Sequence, residues 1–274
     1  SIRSRNERAA ARAGSRKEPQ PQLTDEQWKL IADLFPEPAP SPQGGRPRRA
    51  ARECVEGILW VLRSGARWQD LPAHFPSPPT CWRRFQDWTE AGVWTKAWAR
   101  LLRMLDREGR IQWDEGIADG RLLGEKGGLC VGKTKCGKGT KTMVLTDGRG
   151  LPLAAEIASA SPHEQALIEP LLERRLLPKK PHRLLYDLAA DNDELRTRLA
   201  RRRIELVCPH RKNRKKPSTQ DGRKLRRYRR RWKIERSISW LQNFRRIVTR
   251  YEYHANLFHG FVQLACLMVV MRRF

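Results

Sequence analysis

The sequence predicts two folded parts in series: an all-helical region over residues 23–105 and an α/β domain over 110–274, after a basic tail over 1–22. Three observations predict this. Apolar residues recur at helical spacing up to about residue 105, and the period changes after 110. The second half alternates short apolar runs with helical stretches. The clearest hairpin of the chain, two apolar runs around Asp147-Gly148-Arg149-Gly150, falls inside that half.

The elements follow in order. Residues 1–22 are rich in Arg, Ala, Pro and Gln, lack periodicity and read as disordered. "LTDEQWKLIADLFP" opens with a capping box, Thr24 to Gln27, and stops at Pro36. "RRAARECVEGILWVLRSGARW" puts Cys54, Ile58, Leu59 and Leu62 on one helical face and ends near Gly65. A further helix, from about Pro79 to Glu90, spaces Trp82, Phe85 and Trp88 to pack inward and points Arg83 and Arg84 elsewhere. Short helices with a basic outer face suit a helix-turn-helix reader of DNA; a helical bundle with solvated arginines fits the same pattern.

From Ile111 to Leu123 a strand is expected, then the hairpin, then a helix in "SPHEQALIEPLLERRL" with a Ser161 cap and Pro in its first turn. "HRLLYD" reads as a short buried strand, "DNDELRTRLARRR" as a helix and "IELVCP" as another strand. Residues 209–227 form a basic loop, a long helix follows from about Leu225, and an apolar helix closes the chain. Strand, hairpin, helix, strand, helix, strand, helix is the order of an RNase H-like mixed five-stranded sheet with flanking helices.

Charge narrows the function. Lys and Arg number 56 against 30 Asp and Glu, a formal net charge of +26, so a polyanionic partner is expected: nucleic acid first, an anionic membrane surface second. Six Cys are scattered without a C-x-x-C pair, which argues against a zinc site or a disulfide framework and for a reducing, cytoplasmic setting. No signal peptide is expected. The most apolar stretch, Leu257 to Met271, is too short for a bilayer and reads as a core helix.

Acids set among this positive charge are the candidates for chemistry. Asp119 lies in the first strand and Asp187 at the end of the fourth, where open α/β sheets build sites. Glu235 is the single acid in "RKLRRYRRRWKIERSI", beside nine basic residues. It could simply pair with Arg231 four residues earlier. Extended as one helix from Leu225, however, the stretch places Glu235 in a sector with Tyr228, Trp232, Ser239 and Gln242, which favours an inward role. Three such carboxylates can hold two Mg²⁺ or Mn²⁺ ions roughly 3.5–4 Å apart for phosphodiester chemistry. Of the 28 residues from Pro209 to Arg236, 14 are basic and would hold the polyanion.

These motifs resemble a bacterial DDE transposase of the "insertion sequence five" family, one of the RNase H-like transposases. The resemblance runs from about Leu23 to Phe274. It rests on the N-terminal "LTDEQWKLIADLFP" to "EAGVW", on "DGRLLGEKGG", on "LLYDLAADNDELR", and on "YRRRWKIERSISWLQNFRRIVTRYE", which carries Y-x(2)-R-x(3)-E on Tyr228, Arg231 and Glu235. It implies catalytic and metal-binding roles for Asp119, Asp187 and Glu235 and a terminal-repeat-binding role for the helical part. Two positions depart from the pattern: Ala190 replaces a usual Tyr, and Gln242 a usual Lys.

The expected DNA contacts are Tyr228, Arg230, Arg231 on a phosphate, Trp232, Lys141, Arg83 and Arg84; His163 with Glu164, at the start of a helix, reads as capping or auxiliary ahead of direct catalysis. For Trp232, core packing is the competing reading. Lys133, Lys135, Lys138 and Lys141 read equally as a phosphate cradle or a solvated loop. Asp191 and Asp193 read as helix-capping acids, and Asp147 as a turn residue. The expected activity is cleavage at the terminal inverted repeats of an insertion sequence and joining of the freed 3′-hydroxyls to target DNA, by at least a dimer, without a membrane partner. A catalytically decayed or domesticated DNA-binding protein, a nuclease without strand transfer, and a membrane-surface protein are the alternatives.

Overall fold

The computed structural model describes residues 21–36, 44, 48–124, 129–134 and 137–274. The tail before residue 21, residues 37–43 and 45–47 after Pro36, and Lys135 lie outside the described residues.

The helical part begins with α1 (Asp25–Lys29), whose expected capping box is complete: Thr24 Oγ1 accepts from Gln27 N and Gln27 Oε1 from Thr24 N. Helix α2 (Ala51–Ser64) buries Cys54, Val55, Ile58, Leu59 and Leu62 and ends on left-handed Gly65, φ 70°. A Cβ at Gly65 would stand 2.8 Å from Cβ of Arg245, so both conformation and space call for glycine there.

Helix α3 (Pro78–Glu90) buries Phe85 and Trp88 but leaves Trp82 exposed. A spacing of three drifts about 60° backward per step around an α-helix, so three such residues do not share one buried face. Residues 65–77 join α2 to α3 and include a 3₁₀ turn, Trp68–Asp70. That connection is far longer than the three or four residues of a compact helix-turn-helix. Helix α4 (Val93–Arg107) follows and donates from Trp98 Nε1 to Pro152 O, tying the helices to the sheet.

The sheet has six strands where five were expected. They are β1 (Glu115–Gly124), β2 (Gly132–Thr134), β3 (Gly137–Asp147), β4 (Pro152–Ser159), β5 (Arg183–Leu185) and β6 (Glu205–Val207). The main order is β4-β3-β1-β5-β6; β1, β3 and β4 are antiparallel neighbours, while β1-β5 and β5-β6 run parallel. The additional β2 pairs with residues 137–139 of β3, continuing the edge that β4 occupies further along. Short and glycine-bordered, β2 carries no alternation signal.

Helix α5 (Glu164–Glu173) is capped at His163 rather than at Ser161, and α6 (Asp193–Arg201) is capped by the Asn192 side chain on Leu195 N. The expected long helix from Leu225 is three segments: α7 (Gly222–Leu225), a 3₁₀ stretch (Arg226–Arg231) and α8 (Trp232–Gln242).

Helix α9 (Ala255–Met271) buries 13 of its 17 residues, as a core helix should. It packs on α3, α4 and β4, and one apolar cluster runs from Leu23 to Met271. Among the described residues no helix is long and apolar enough to cross a membrane. Beside α9, on the same face of the sheet, a small cluster forms from Ile117, Leu185, Val207 and Ile234, which seats α8.

Candidate active site

Parallel pairing of β1 and β5 builds the site. Ile117 lies opposite Leu185, so two residues on, with the same facing, Asp119 comes beside Asp187. Each is fixed locally. Asp119 Oδ1 accepts from Gly120 N at 3.0 Å, and Asp187 Oδ1 accepts from Ala189 N at 2.8 Å, capping the 3₁₀ turn Leu188–Ala190. The Asp119 side chain is only 14% exposed. Burial pushes its pKa up, the Arg231 charge opposes this, and Asp187 adds a repulsive contribution.

Glu235 reaches the site differently from expectation. Its side chain is 60% exposed, and its nearest cation is Arg231, with Oε1 3.6 Å from Nη1. The buried residues of α8 are Ile234, Ser237 and Leu241, while Trp232, Ser239 and Gln242 are exposed. The sector drawn from Leu225 fails because Arg226–Arg231 is a 3₁₀ segment, which advances about 120° per residue instead of 100°.

Arg231 joins these acids. Its Nη2 donates to Asp119 Oδ2 at 2.9 Å, its Nη1 faces Glu235, and its side chain is 20% exposed. It was expected on a phosphate; in the free protein it is held by acids. Tyr228 is half-buried and lies within the electrostatic reach of Arg231. Arg230 is bound, with Arg227, to the buried carboxylate of Glu115, at 3.0 and 2.8 Å. Trp232 is 52% exposed, so the core-packing reading is overturned; Arg236 lies over its ring at 4.9 Å and over Trp240 at 4.8 Å.

Lys141 is not in a loop but inside β3, nearly buried. Its Nζ donates to Pro162 O at 3.0 Å and stands 3.9 Å from Glu164 Oε1. His163 is exposed and makes no side-chain cap; its neighbour Glu164 turns toward the site, where Tyr186 Oη donates to it at 3.3 Å. The sequence reading gave Glu164, with His163, a capping or auxiliary role ahead of direct catalysis, and passed over Tyr186 and Glu115. An acid in the first turn of a helix is ordinary dipole compensation, and nothing local reveals its tertiary partners.

Asp191 and Asp193 likewise serve as ion-pair anchors for the 210–216 segment rather than as helix caps, through Arg196, His210 and Arg214. Arg83 and Arg84 lie apart from the acids on α3, where with Arg48, Arg49, Ser77 and Thr80 they line a groove of about 570 Å³.

Hard oxygen donors of this kind suit a divalent ion. As the side chains stand, however, they do not form its site: among the described residues no three His, Cys, Asp or Glu side chains are grouped to hold a metal. A guanidinium stands among the acids instead.

Comparison with known families places residues 23–107 under the description "Putative transposase of IS4/5 family" and residues 123–270 under "Transposase DDE domain". The "Insertion element IS402 uncharacterized 16.2 kDa protein" of Burkholderia cepacia is 41% identical over 103 residues, covering 36% of this chain and 70% of that protein. The "Putative transposase for insertion sequence element IS402" of the same organism is 32% identical over 139 residues, covering 48% and 62%. Among solved structures, the piggyBac transposase synaptic complex with hairpin DNA aligns with a TM-score of 0.51 at 10% identity, over 91% of this chain and 73% of that one, a likeness of fold.

Proposed function

We propose, because this chain belongs to the DDE-domain transposases of insertion sequences, that it cuts DNA at the terminal inverted repeats of such an element and joins the freed 3′-hydroxyls to target DNA. One observation carries the reading: Asp119, two residues past the last β1–β5 pair, lies near Asp187, just past the end of β5, and Arg231 ties Asp119 to Glu235 on α8. Acids distant in sequence thus meet at one end of a sheet whose order, β4-β3-β1-β5-β6, is consistent with an RNase H-like domain over 110–274.

In this reading Asp119, Asp187 and Glu235 are the catalytic acids. DDE transposases use divalent ions, and we assign two ions, Mg²⁺ or Mn²⁺, to these acids. The Arg231 charge opposes their binding until it leaves Asp119. Arg231, Tyr228, Arg230 and Trp232 then face the cleaved strand, the cations toward its phosphates; Lys141, nearly buried on the other face of the sheet, supports Glu164 instead. The helical part over 23–105 binds the terminal repeats as duplex DNA, with Arg83 and Arg84 on the backbone. Bringing two ends together requires at least a homodimer.

The test is nicking and strand joining on duplex DNA carrying the element's own ends, with Mg²⁺ or Mn²⁺, for wild type and Asp119→Asn. Metal-dependent nicking and joining lost in the variant is the expected result. Nicking without joining would make the protein a nuclease only. Binding without nicking in either would favour a second reading, a decayed transposase that only binds DNA. The guanidinium among the acids is the observation on that side.

A further inference from the structure

We propose that Asp87 reads a base of the terminal repeat, accepting from the exocyclic amino group of a cytosine in the major groove. This rests on the repeat-binding role given above to the helical part and names a residue that confers its sequence specificity. Thr80, Arg83, Arg84 and Asp87 line the groove from α3 and fall within a sector of about 100° on that helix. Cys81, Phe85 and Trp88 are buried on another side. The spacing i, i+3, i+4, i+7 is the one by which a helix lying in the major groove presents side chains to base edges.

No structural partner accounts for the Asp87 carboxylate. It is exposed and carries no ion pair or side-chain hydrogen bond among the described residues, although it shares the groove with Arg48, Arg49, Arg83 and Arg84. Other acids four residues after an arginine turn back to it here: Glu53 to Arg49 at 2.9 Å, and Glu235 to Arg231 at 3.6 Å. In the last turn of α3, Asp87 also puts negative charge at the negative end of the helix dipole. Its neighbours are occupied: Thr80 Oγ1 meets Ser77 Oγ at 2.8 Å, and Arg84 lies over the Trp88 ring. A DNA phosphate repels a carboxylate, so the group of DNA that suits Asp87 is a donor. The major groove offers two, cytosine N4 and adenine N6; adenine sets its acceptor N7 beside the amino group, and cytosine does not. The long arginines reach the flanking phosphates, whereas the short Asp87 reaches only the base edges beneath the helix.

The test measures binding of the full chain to duplexes carrying the element's end, each with one base pair replaced. Wild type, Asp87→Asn and Asp87→Ala are compared. For wild type, replacing one particular C·G pair is expected to weaken binding about tenfold or more. In both variants that penalty is expected to fall to about twofold or less, with the penalties at other positions kept. Asp87→Asn is further expected to favour A·T at that position, because an amide pairs with adenine N6 and N7. The melting temperature is expected to stay or rise, and the slope of affinity against salt to stay, since Asp87 neutralises no phosphate. Asp87→Ala decides the matter if the Asn variant does not fold. Penalties matching wild type at every position, while wild type still prefers the end over random duplex, would overturn the inference and leave the repeat-binding role standing. A changed penalty only at a pair other than C·G would overturn it as well. A wild type that binds the end and random duplex alike would overturn the repeat-binding role and the inference with it.

Discussion

The guanidinium of Arg231 bonds Asp119 across 112 residues of sequence, Nη2 to Oδ2 at 2.9 Å. This contact places a fixed positive charge at the carboxylate to which the proposed function assigns a metal ion, and a second face of the same group looks toward Glu235. A guanidinium bonded to Asp119 repels a divalent ion that approaches the same carboxylate. Whatever draws Arg231 away therefore opens Asp119, and a DNA phosphate is a group a planar fork of N–H donors fits well.

Arg231→Ala is accordingly expected to bind Mn²⁺ more tightly than wild type when DNA is absent, about tenfold, which corresponds to about 1.4 kcal/mol. Its cleavage of DNA is expected to fall, because the phosphate contact goes with the guanidinium. Calorimetric Mn²⁺ titration of the two proteins reads the first effect. Equal affinities would mean that Arg231 exchanges freely and does not occupy the ion's place.

Glu235→Gln separates the two roles this glutamate can have. As a catalytic acid its loss abolishes nicking, while DNA affinity stays equal or rises slightly, since one negative charge leaves a basic surface. As only the i,i+4 partner of Arg231 its loss changes stability by a few tenths of a kcal/mol and leaves nicking intact. Side-by-side nicking and binding curves distinguish them.

Why some of this was legible in sequence and some was not follows from the range of the interactions. Asp187 ends an apolar run and Asp119 interrupts a strand, so their position at a sheet end was readable from local pattern. The facing of Glu235 was misread because helical extrapolation ran through Arg226–Arg231, and a single 3₁₀ segment rotates everything before it. Glu115 was passed over, and Glu164 was read only as an acid at a helix start, because their meaning lies in tertiary partners. Glu115 meets Arg227 and Arg230, 112 and 115 residues away, and Glu164, on a helix, meets Lys141 of β3 and Tyr186 just past β5. The likeness of motifs located the acids, but only the register of β1 against β5 brings two of them near each other.

Glu115 gives a pH dependence with a definite sign. Burial by itself would raise its pKa, but Arg227 and Arg230 outweigh this and hold it below the ordinary value of 4.5. An acid whose pKa is lowered by folding contributes stability that is fully present above its unfolded value and lost as pH falls through its folded value. Wild-type stability is thus expected to drop below about pH 4.5 more steeply than that of Glu115→Gln. At pH 7 the variant loses roughly 1–2 kcal/mol, a modest cost because both arginines are partly exposed and can rehydrate. Urea melts at a series of pH values test this, and parallel profiles for the two proteins would refute it.

Arg83 and Arg84 test the role of the helical part by salt rather than by affinity alone. Each phosphate neutralised on B-form DNA contributes about 0.9 to the slope of log affinity against log salt. If both arginines bind the backbone from the groove they share with Arg48 and Arg49, the double alanine variant flattens that slope by about 1.8. Its affinity falls by a similar factor on any duplex, because phosphate contacts carry no base information. Arg84 also lies over the buried Trp88 ring, 5.7 Å from its centroid, so part of its effect is on packing and appears in the melting temperature instead. A slope unchanged in the variant would move the DNA-binding surface off α3 and leave the basic stretch from Pro209 to Arg236 as the place to look for it.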